Sequence, residues 1–186
     1  MSVVVAISGS SGVILGVRLL ELLRGMNLPT HLVVSDTARK VMVAETAYRL
    51  DDVERLATQV HRNDDLLAPI ASGSFKIKAM AVVPCSMKTL SGIANGYSQN
   101  LIQRAADVCL KERRRLVLAV RETPLNLIHI DNMRQATLAG AIILPPVITM
   151  YSKPQTIEAM VDHILGKILD SMGIENSVYR RWEGAE

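Results

Sequence analysis

The first 23 residues constrain the fold most, because they pass from the pattern of a buried strand to that of a helix across one short turn. Val3 to Ile7 is a continuous run of apolar residues, as in a strand that is buried on both faces of a parallel sheet. Residues 8–12 are all serine or glycine. From Val13 onward, leucines recur with the period of a helix. The order strand, tight turn and helix predicts the start of an α/β fold.

The turn itself, Gly9-Ser10-Ser11-Gly12, has the features of an anion site. It would leave backbone N–H groups free at a helix N-terminus, where the helix dipole is positive and the glycines allow close approach. It matches neither the G-x-G-x-x-G fingerprint nor the G-x-x-x-x-G-K-[ST] loop, so it does not by itself indicate dinucleotide or P-loop binding. Two interpretations stay open at this point: a site for a phosphate-bearing ligand, or a tight turn that uses glycine for its geometry only.

The rest of the chain continues to alternate between strand and helix patterns. Apolar runs predict further strands at residues 30–35, 79–83, 116–120 and 141–144. Helical patterns predict a helix capped by Ser35-Asp36 that ends near Glu45, and others at residues 51–60, 100–114, 126–139 and 156–172. Residues 62–78 are irregular. This alternation predicts a doubly wound parallel sheet with helices on both faces, in one domain that spans residues 1–186.

Charge and composition argue against several classes of function. The net charge is only +3 and basic residues are dispersed, apart from the run Lys111 to Arg115, so a nucleic-acid partner is not indicated. No apolar run reaches membrane-spanning length and no signal-peptide pattern begins the chain, so no membrane association is expected. Cys85 and Cys109, without a secretory signal, favour a cytoplasmic protein. The four histidines are scattered without metal-ligand spacing, so no metal site is expected.

Polar side chains stand where four of the predicted strands end. They are Ser8 to Ser11, Ser35, Ser86 to Thr89, and the pair Arg121-Glu122. Ligands of open α/β sheets bind beyond the carboxyl ends of the strands, and hydroxyl and N–H groups suit a phosphate and the polar edge of a heterocycle. Arg121 can bind a phosphate through two nitrogens. The alternative is that each hydroxyl caps its own helix and that Arg121 and Glu122 form a weak exposed pair.

Several short motifs occur in collinear order between Val3 and Trp182. They are Gly9-Ser10-Ser11-Gly12, Ala71-Ser72-Gly73-Ser74-Phe75, Pro84-Cys85-Ser86-Met87-Lys88-Thr89-Leu90, Arg104-Ala105-Ala106-Asp107-Val108 with Leu110-Lys111-Glu112-Arg113, Arg121-Glu122-Thr123-Pro124-Leu125, and Pro145-Pro146 followed by Tyr151. Each motif is weak alone, but together they resemble the UbiX/Pad family of flavin prenyltransferases.

The resemblance implies a flavodoxin-like Rossmann sandwich that binds FMN, needs no metal and assembles as a homo-dodecamer. It implies transfer of a dimethylallyl group from dimethylallyl phosphate to N5 and then C6 of reduced FMN. The product, prenylated FMN, would serve a UbiD-type decarboxylase. The sequence does not indicate whether the donor is the monophosphate or the diphosphate.

The resemblance also assigns roles to residues. The catalytic residues would be Glu45, Ser11 and Glu122. Glu45 matches the acid/base glutamate of the family. The residues that would hold FMN are Gly9, Ser10, Ser11, Ser35, Ser86, Met87, Lys88, Thr89 and Arg121. The residues that would hold the prenyl phosphate are Lys111, Arg121, Glu122, Tyr151 and Lys167.

Three positions depart from the family pattern. Lys167 stands where many members have arginine, so it keeps the charge but loses the two-pronged grip on phosphate. Met150 stands where an aromatic residue often precedes the site tyrosine, and the turn has Ser10 where many members have alanine. None of these changes removes a charge that the reaction needs.

Two alternatives to prenyl transfer remain. The first is a flavoprotein of the same fold that decarboxylates a peptidyl-cysteine, a class that depends on an active-site histidine. None of the four histidines falls in the strand-end motifs, which argues against it. The second is a non-catalytic subunit that carries FMN to a decarboxylase, which would leave Lys111, Glu122, Tyr151 and Lys167 without a role.

Overall fold

The computed structural model describes residues 1–184, which form one six-stranded parallel sheet flanked by helices. The strands are Val3–Ile7 (β1), Thr30–Val34 (β2), Gln59–His61 (β3), Ala79–Cys85 (β4), Arg115–Val120 (β5) and Ile142–Ile143 (β6). The helices are Val13–Gly25 (α1), Asp36–Glu45 (α2), Leu50–Glu54 (α3), Met87–Ala94 (α4), Leu101–Lys111 (α5), Leu127–Ala139 (α6) and Ile157–Met172 (α7), with a 3₁₀ turn at Pro69–Ala71.

The strand order in the sheet is β3-β2-β1-β4-β5-β6. The chain therefore builds outward from β1 on one side and then crosses to β4 on the other side of β1. In sheets of this kind the point where the order reverses leaves a crevice at the carboxyl ends of the two central strands. The predicted doubly wound α/β fold is confirmed, and the crevice lies where β1 and β4 end.

The sheet buries both faces, which is why its strands read as unbroken apolar runs. Side chains alternate along β1, so that Val3, Val5 and Ile7 join one core cluster and Val4 and Ala6 join the other. Helices α1 and α7 cover the first cluster, and α4 and α5 cover the second. Few aromatic residues take part, so aliphatic side chains fill both clusters.

The start of α1 packs unusually close to the sheet. A Cβ atom added at Gly16 would overlap the Val83 carbonyl and the Ile7 side chain, so only glycine permits this approach. This contact holds the first turns of α1 over the carboxyl ends of β1 and β4. The Gly9–Gly12 turn is thereby fixed at the crevice.

The prediction of one helix over residues 51–60 is wrong. The helix α3 is short, and residues 59–61 instead form β3 at the edge of the sheet. Thr30 and Thr58 join the two segments, because each hydroxyl accepts a hydrogen bond from the backbone N–H of the other residue, at 3.0 and 3.2 Å. Pairing with β2 is a long-range contact that local periodicity does not reveal.

Other predicted elements agree with the structure to within a few residues. The helix predicted to run to residue 114 ends at Lys111, because Arg113 adopts a left-handed conformation with φ of 55°. The predicted strand 141–144 is reduced to the two residues of β6. Among the described residues, no helix combines the length and apolar character that crossing a membrane requires.

Candidate active site at the carboxyl ends of the strands

Hydrogen bonds tie the ends of the central strands together. The Ser8 hydroxyl donates to the Pro84 carbonyl at 2.9 Å and accepts from the Ser86 N–H at 2.8 Å, which joins the exits of β1 and β4. The Ser35 N–H donates to the Ile7 carbonyl, and the Arg121 N–H donates to the Cys85 carbonyl, both at 3.0 Å. The four polar strand ends that the sequence singled out therefore meet at one edge.

The turn after β1 forms a cradle with an unsatisfied polar group. The Ser10 hydroxyl is buried and has no hydrogen-bond partner among the described residues. A Cβ atom at Gly9 would overlap the Thr37 side chain, so the turn packs directly on the start of α2. Gly12, with φ of 96°, precedes α1 and has no side chain with which to cap it. A buried hydroxyl without a partner beside a helix N-terminus fits an anionic ligand, such as the phosphate of FMN.

Two of the predicted ligand residues also have structural roles. The Ser35 hydroxyl accepts from the Ala38 N–H at 3.2 Å and caps α2. The Ser86 hydroxyl caps α4 by accepting from the Thr89 N–H at 3.4 Å, and it donates to the Thr89 hydroxyl at 3.1 Å. The capping interpretation is therefore correct for both serines, although their position beside the crevice still allows ligand contact.

Lys88 belongs to the first turn of α4 and is exposed. It lines a cleft of about 650 Å³ together with Arg39 and Arg62. Met87, the first residue of α4, is partly buried against the neighbouring core cluster. The structure thus places Lys88 at an open, mixed-charge cleft beside the crevice.

Glu45, the last residue of α2, reaches into this site. Its Oε2 atom accepts a hydrogen bond from the Gly12 N–H at 2.8 Å. Burial opposes ionisation of Glu45, but the Ser11 hydroxyl, the N–H groups of Gly12 and Val13, and the charge of Arg121 together lower its pKa below the usual value. The structure therefore brings Ser11, Glu45 and Arg121 together, with Glu45 held as a carboxylate at neutral pH.

Arg121 and Glu122 follow β5 at the same edge and are both exposed. The Glu122 carboxylate accepts from the Thr123 N–H at 3.0 Å. Among residues 1–184, no ion pair joins Arg121 to Glu122. Both side chains can therefore turn toward a ligand.

Lys111 lies at the opposite end of the strands from this site, where β5 begins. It ends α5, and β5 begins at Arg115 and runs toward Arg121. At about 3.3 Å per residue, the six residues of β5 separate the two edges by roughly 20 Å. The structure does not bring Lys111 to Ser11, Glu45 and Arg121 of the same chain.

Tyr151 and Lys167 belong to a third region, beside α7. The Tyr151 ring packs edge-on against His163 of α7 and against Trp182 of the C-terminal tail, with ring centroids 5.3 and 5.4 Å apart. Lys167 lies one turn after His163, and burial together with the charge of Lys167 lowers the pKa of His163. Tyr151 and Lys167 are thus neighbours of one imidazole.

Sequence reasoning missed two residues of this region. His163 and Trp182 both contact Tyr151, and the buried Nδ1 atom of His163 has no partner among the described residues. The chain has only one tryptophan, four tyrosines and one phenylalanine. Tyr151 and Tyr179 pack on His163, and Trp182 packs on Tyr151, so this region concentrates aromatic residues that are rare in the chain. The rarity of aromatic residues is the sequence signal that could have identified Trp182 as part of this region.

The cysteines and histidines do not form a reactive or metal-binding centre within residues 1–184. No group of three His, Cys, Asp or Glu side chains there could hold a metal ion. Cys85 is buried, and burial raises the pKa of its thiol, which disfavours the reactive thiolate. Cys109 is also buried, and burial raises the pKa of its thiol to about 12.

Comparisons with known proteins show the family to which the chain belongs. The Flavoprotein family matches residues 1–169. The chain is 51% identical to a probable UbiX-like flavin prenyltransferase of Sedimentibacter hydroxybenzoicus, over 100% of this chain and 99% of the relative. It is 46% identical to the flavin prenyltransferase UbiX of Methanocaldococcus jannaschii, over 98% of each chain.

Solved structures show the same relationship. The structure of AnUbiX (PadA1) in complex with FMN and dimethylallyl pyrophosphate superposes with a TM-score of 0.97 at 48% identity, over 100% of this chain and 98% of the other. A dodecameric FMN-dependent UbiX-like decarboxylase of Escherichia coli O157:H7 gives 0.96 at 45% identity, over 99% and 100%. The peptidyl-cysteine decarboxylase EpiD, at 16% identity and a TM-score of 0.61 over 80% of this chain and 82% of the other, shares the fold alone. The chain belongs to the UbiX family of flavin prenyltransferases.

Proposed function

We propose that this protein transfers a dimethylallyl group from dimethylallyl phosphate to N5 and then C6 of reduced FMN. The observation that carries the proposal is the strand-end site, where an unsatisfied hydroxyl and the N-terminus of α1 adjoin a carboxylate and an arginine. The product is the prenylated flavin that a UbiD-type decarboxylase uses. The proposal further places the protein in the cytoplasm, where Cys85 and Cys109 stay reduced.

The strand-end residues provide the binding surface for FMN. Gly9, Ser10 and Ser11 offer backbone N–H groups and hydroxyls to a phosphate, and Arg121 adds a cation at the same edge. Ser35 and the residues 86–89 would contribute from the neighbouring strand ends. Bound reduced FMN supplies the nucleophilic positions N5 and C6.

Glu45 is the residue best placed to handle protons. Cleavage of the allylic C–O bond sends its electron pair to the phosphate, and the new bond to the flavin displaces one proton. The Glu45 carboxylate can accept such a proton because it is ionised and partly exposed, and the departing phosphate is the other acceptor. The Gly12 N–H keeps the carboxylate oriented.

Departure of the phosphate needs cations and O–H donors to stabilise the growing negative charge. Arg121 is at the site, Glu122 orders the segment after it, and Tyr151, Lys111 and Lys167 complete the proposed phosphate ligands. Because Lys111 lies at the far edge of its own sheet, it would reach this site only from a second copy of the chain.

Exposed apolar surface supports assembly of several copies. Four large apolar side chains of α6 remain exposed in the single chain: Leu127, Ile128, Ile130 and Leu138. Such a surface on one helix is typical of a protein interface. The proposed state is a homo-dodecamer, as in the related E. coli O157:H7 protein.

The structure offers no support for the cysteine decarboxylase alternative. Among the described residues, no histidine contacts the strand-end cluster: His31 bonds to His61 at 2.9 Å, His129 caps α6, and His163 packs on Tyr151. The carrier alternative leaves Lys111, Glu122, Tyr151 and Lys167 without a role.

The proposed function can be tested by anaerobic incubation with reduced FMN and dimethylallyl phosphate, followed by mass spectrometry of the extracted flavin. A gain of about 68 Da, the C5H8 increment of prenyl transfer, is expected. The same incubation without the donor is the control. Unmodified FMN, with a known flavin prenyltransferase active under the same conditions, would contradict the proposal and favour a flavin carrier.

Replacing Tyr151 with Phe should raise the KM for dimethylallyl phosphate about tenfold, because the hydroxyl is the group offered to the phosphate. FMN affinity should not change, since the Tyr151 ring packs on His163 and Trp182 without the hydroxyl. The exposed Tyr97 provides a matched control, Tyr97→Phe. An unchanged KM and rate in Tyr151→Phe would remove Tyr151 from the phosphate site.

A further inference from the structure

Arg114 makes two long-range hydrogen bonds to the loop of residues 72–75, called here the Gly73 loop. Its Nη2 atom donates to the Gly73 carbonyl at 2.6 Å, and its Nη1 atom donates to the Phe75 carbonyl at 2.7 Å. The guanidinium is half-buried, and the two bonds span about 40 positions of the chain. One side chain between α5 and β5 therefore sets the position of a distant, irregular loop.

The Gly73 loop lies directly against Lys111. A Cβ atom added at Gly73 would stand 2.6 Å from the Lys111 ammonium and closer still to the Glu112 carboxylate. Lys111 and Glu112 form an ion pair over this glycine, and Lys111 lowers the pKa of Glu112. The backbone of Gly73 is thus the surface on which the Lys111 head group rests.

We propose that Arg114 is a positioning residue for prenyl transfer, which acts by holding the Gly73 loop against Lys111. The proposal rests on the proposed function, because that function assigns Lys111 to the prenyl phosphate. Arg114 itself would touch neither the flavin nor the donor.

The hydrogen bonds from Arg114 to the two carbonyl groups have a second effect, besides holding the Gly73 loop in place. Carbonyls of an exposed loop are good acceptors for a lysine ammonium a few ångströms away. Arg114 donates to the carbonyls of Gly73 and Phe75, so they compete less strongly with a phosphate for Lys111. Without Arg114 the loop would loosen and its carbonyls would become free to draw Lys111 away from the donor.

The test is a double-mutant cycle on the FMN-loaded full-length protein, with KM for dimethylallyl phosphate and calorimetric affinity for the donor as readouts. Arg114→Met should raise the KM about tenfold, and Lys111→Ala should raise it at least as much. In the Lys111→Ala background, Arg114→Met should have no further effect. FMN affinity should be equal in all variants, and exposed Arg113 provides the matched control, Arg113→Met.

Two further variants, Arg114→Lys and Gly73→Ala, test the same proposal if Arg114→Met folds poorly. Arg114→Lys keeps the charge but offers a single point of contact, so a partial rise in KM is expected. Gly73→Ala leaves Arg114 intact and inserts a methyl group beneath Lys111, so it should raise the KM in the same way.

The outcomes of this cycle distinguish the positioning role of Arg114 from the phosphate-binding role of Lys111. Equal effects of Arg114→Met with and without Lys111 would overturn the positioning role and show a general structural one. A rise in KM for Lys111→Ala but none for Arg114→Met, Arg114→Lys or Gly73→Ala would also overturn it. No effect of Lys111→Ala, with normal prenyl transfer, would instead remove Lys111 from the proposed phosphate site, and the positioning proposal would fall with it.

Discussion

Replacing Glu45 with Gln is expected to slow prenyl transfer about a hundredfold while FMN binding stays unchanged. The glutamine carbonyl can still accept the Gly12 N–H that Glu45 binds at 2.8 Å, so the turn keeps its shape. The amide cannot accept a proton, however, and it no longer carries a charge beside Arg121. Single-turnover formation of the flavin adduct under anaerobic conditions measures the loss.

The matched control for this substitution is Glu54→Gln. Glu54 lies on α3 and pairs with Arg39 at 3.4 Å, away from the Ser11 turn, so its loss of charge should leave adduct formation unchanged. If Glu45→Gln turns over at the normal rate, Glu45 has no part in proton transfer and the departing phosphate is the acceptor.

The lowered pKa of Glu45 predicts how the stability of the folded protein changes with pH. Because the folded-state pKa lies below the usual value of a glutamate, the carboxylate persists across the neutral range and is protonated only in acidic solution. The stabilising bond to the Gly12 N–H is therefore complete above the unfolded-state pKa and lost as the pH falls through the folded-state value. In Glu45→Gln this contribution to the pH profile should be absent.

Mixing the Glu45→Gln and Lys111→Ala variants is expected to restore part of the activity when the donor concentration is low. Glu45→Gln removes the proton acceptor and Lys111→Ala removes the cation, so each homo-oligomer alone should be impaired, the first in its rate and the second in its use of dilute donor. If Lys111 enters the site from a second copy, a mixed oligomer contains sites with Glu45 from one chain and Lys111 from another. At equal amounts and random assembly, about one quarter of the sites would be intact.

Co-expression of the two variants with different tags, purified through both tags in succession, supplies the mixed oligomer. Native mass spectrometry confirms its composition before adduct formation is measured. A double variant, with both substitutions in one chain, is the control and should stay inactive when mixed with itself. Confirmed mixing without recovery would mean that Lys111 does not complete the site of a neighbouring chain.

Much of the fold could be predicted because its signals are local. Val3 to Ile7 is apolar throughout, and the residues after it change to helical periodicity within one turn. Thr156 and Asn100 cap helices through bonds to N–H groups three residues away. Strand β3 could not be predicted in this way, because Gln59–His61 becomes a strand only by pairing with β2.

The sequence by itself determined the α/β class, the polar strand ends and, by resemblance, a flavin site with Glu45 as its proposed acid/base. Only the tertiary structure decided which of those residues share a site. It brings Ser11, Glu45 and Arg121 together and puts Lys111 at the far edge of the sheet and Tyr151 beside His163. The physical reason is that parallel strands gather their carboxyl ends at one edge, whereas a helix that leads into a strand ends at the other. Spacing along the chain contains no information about that separation.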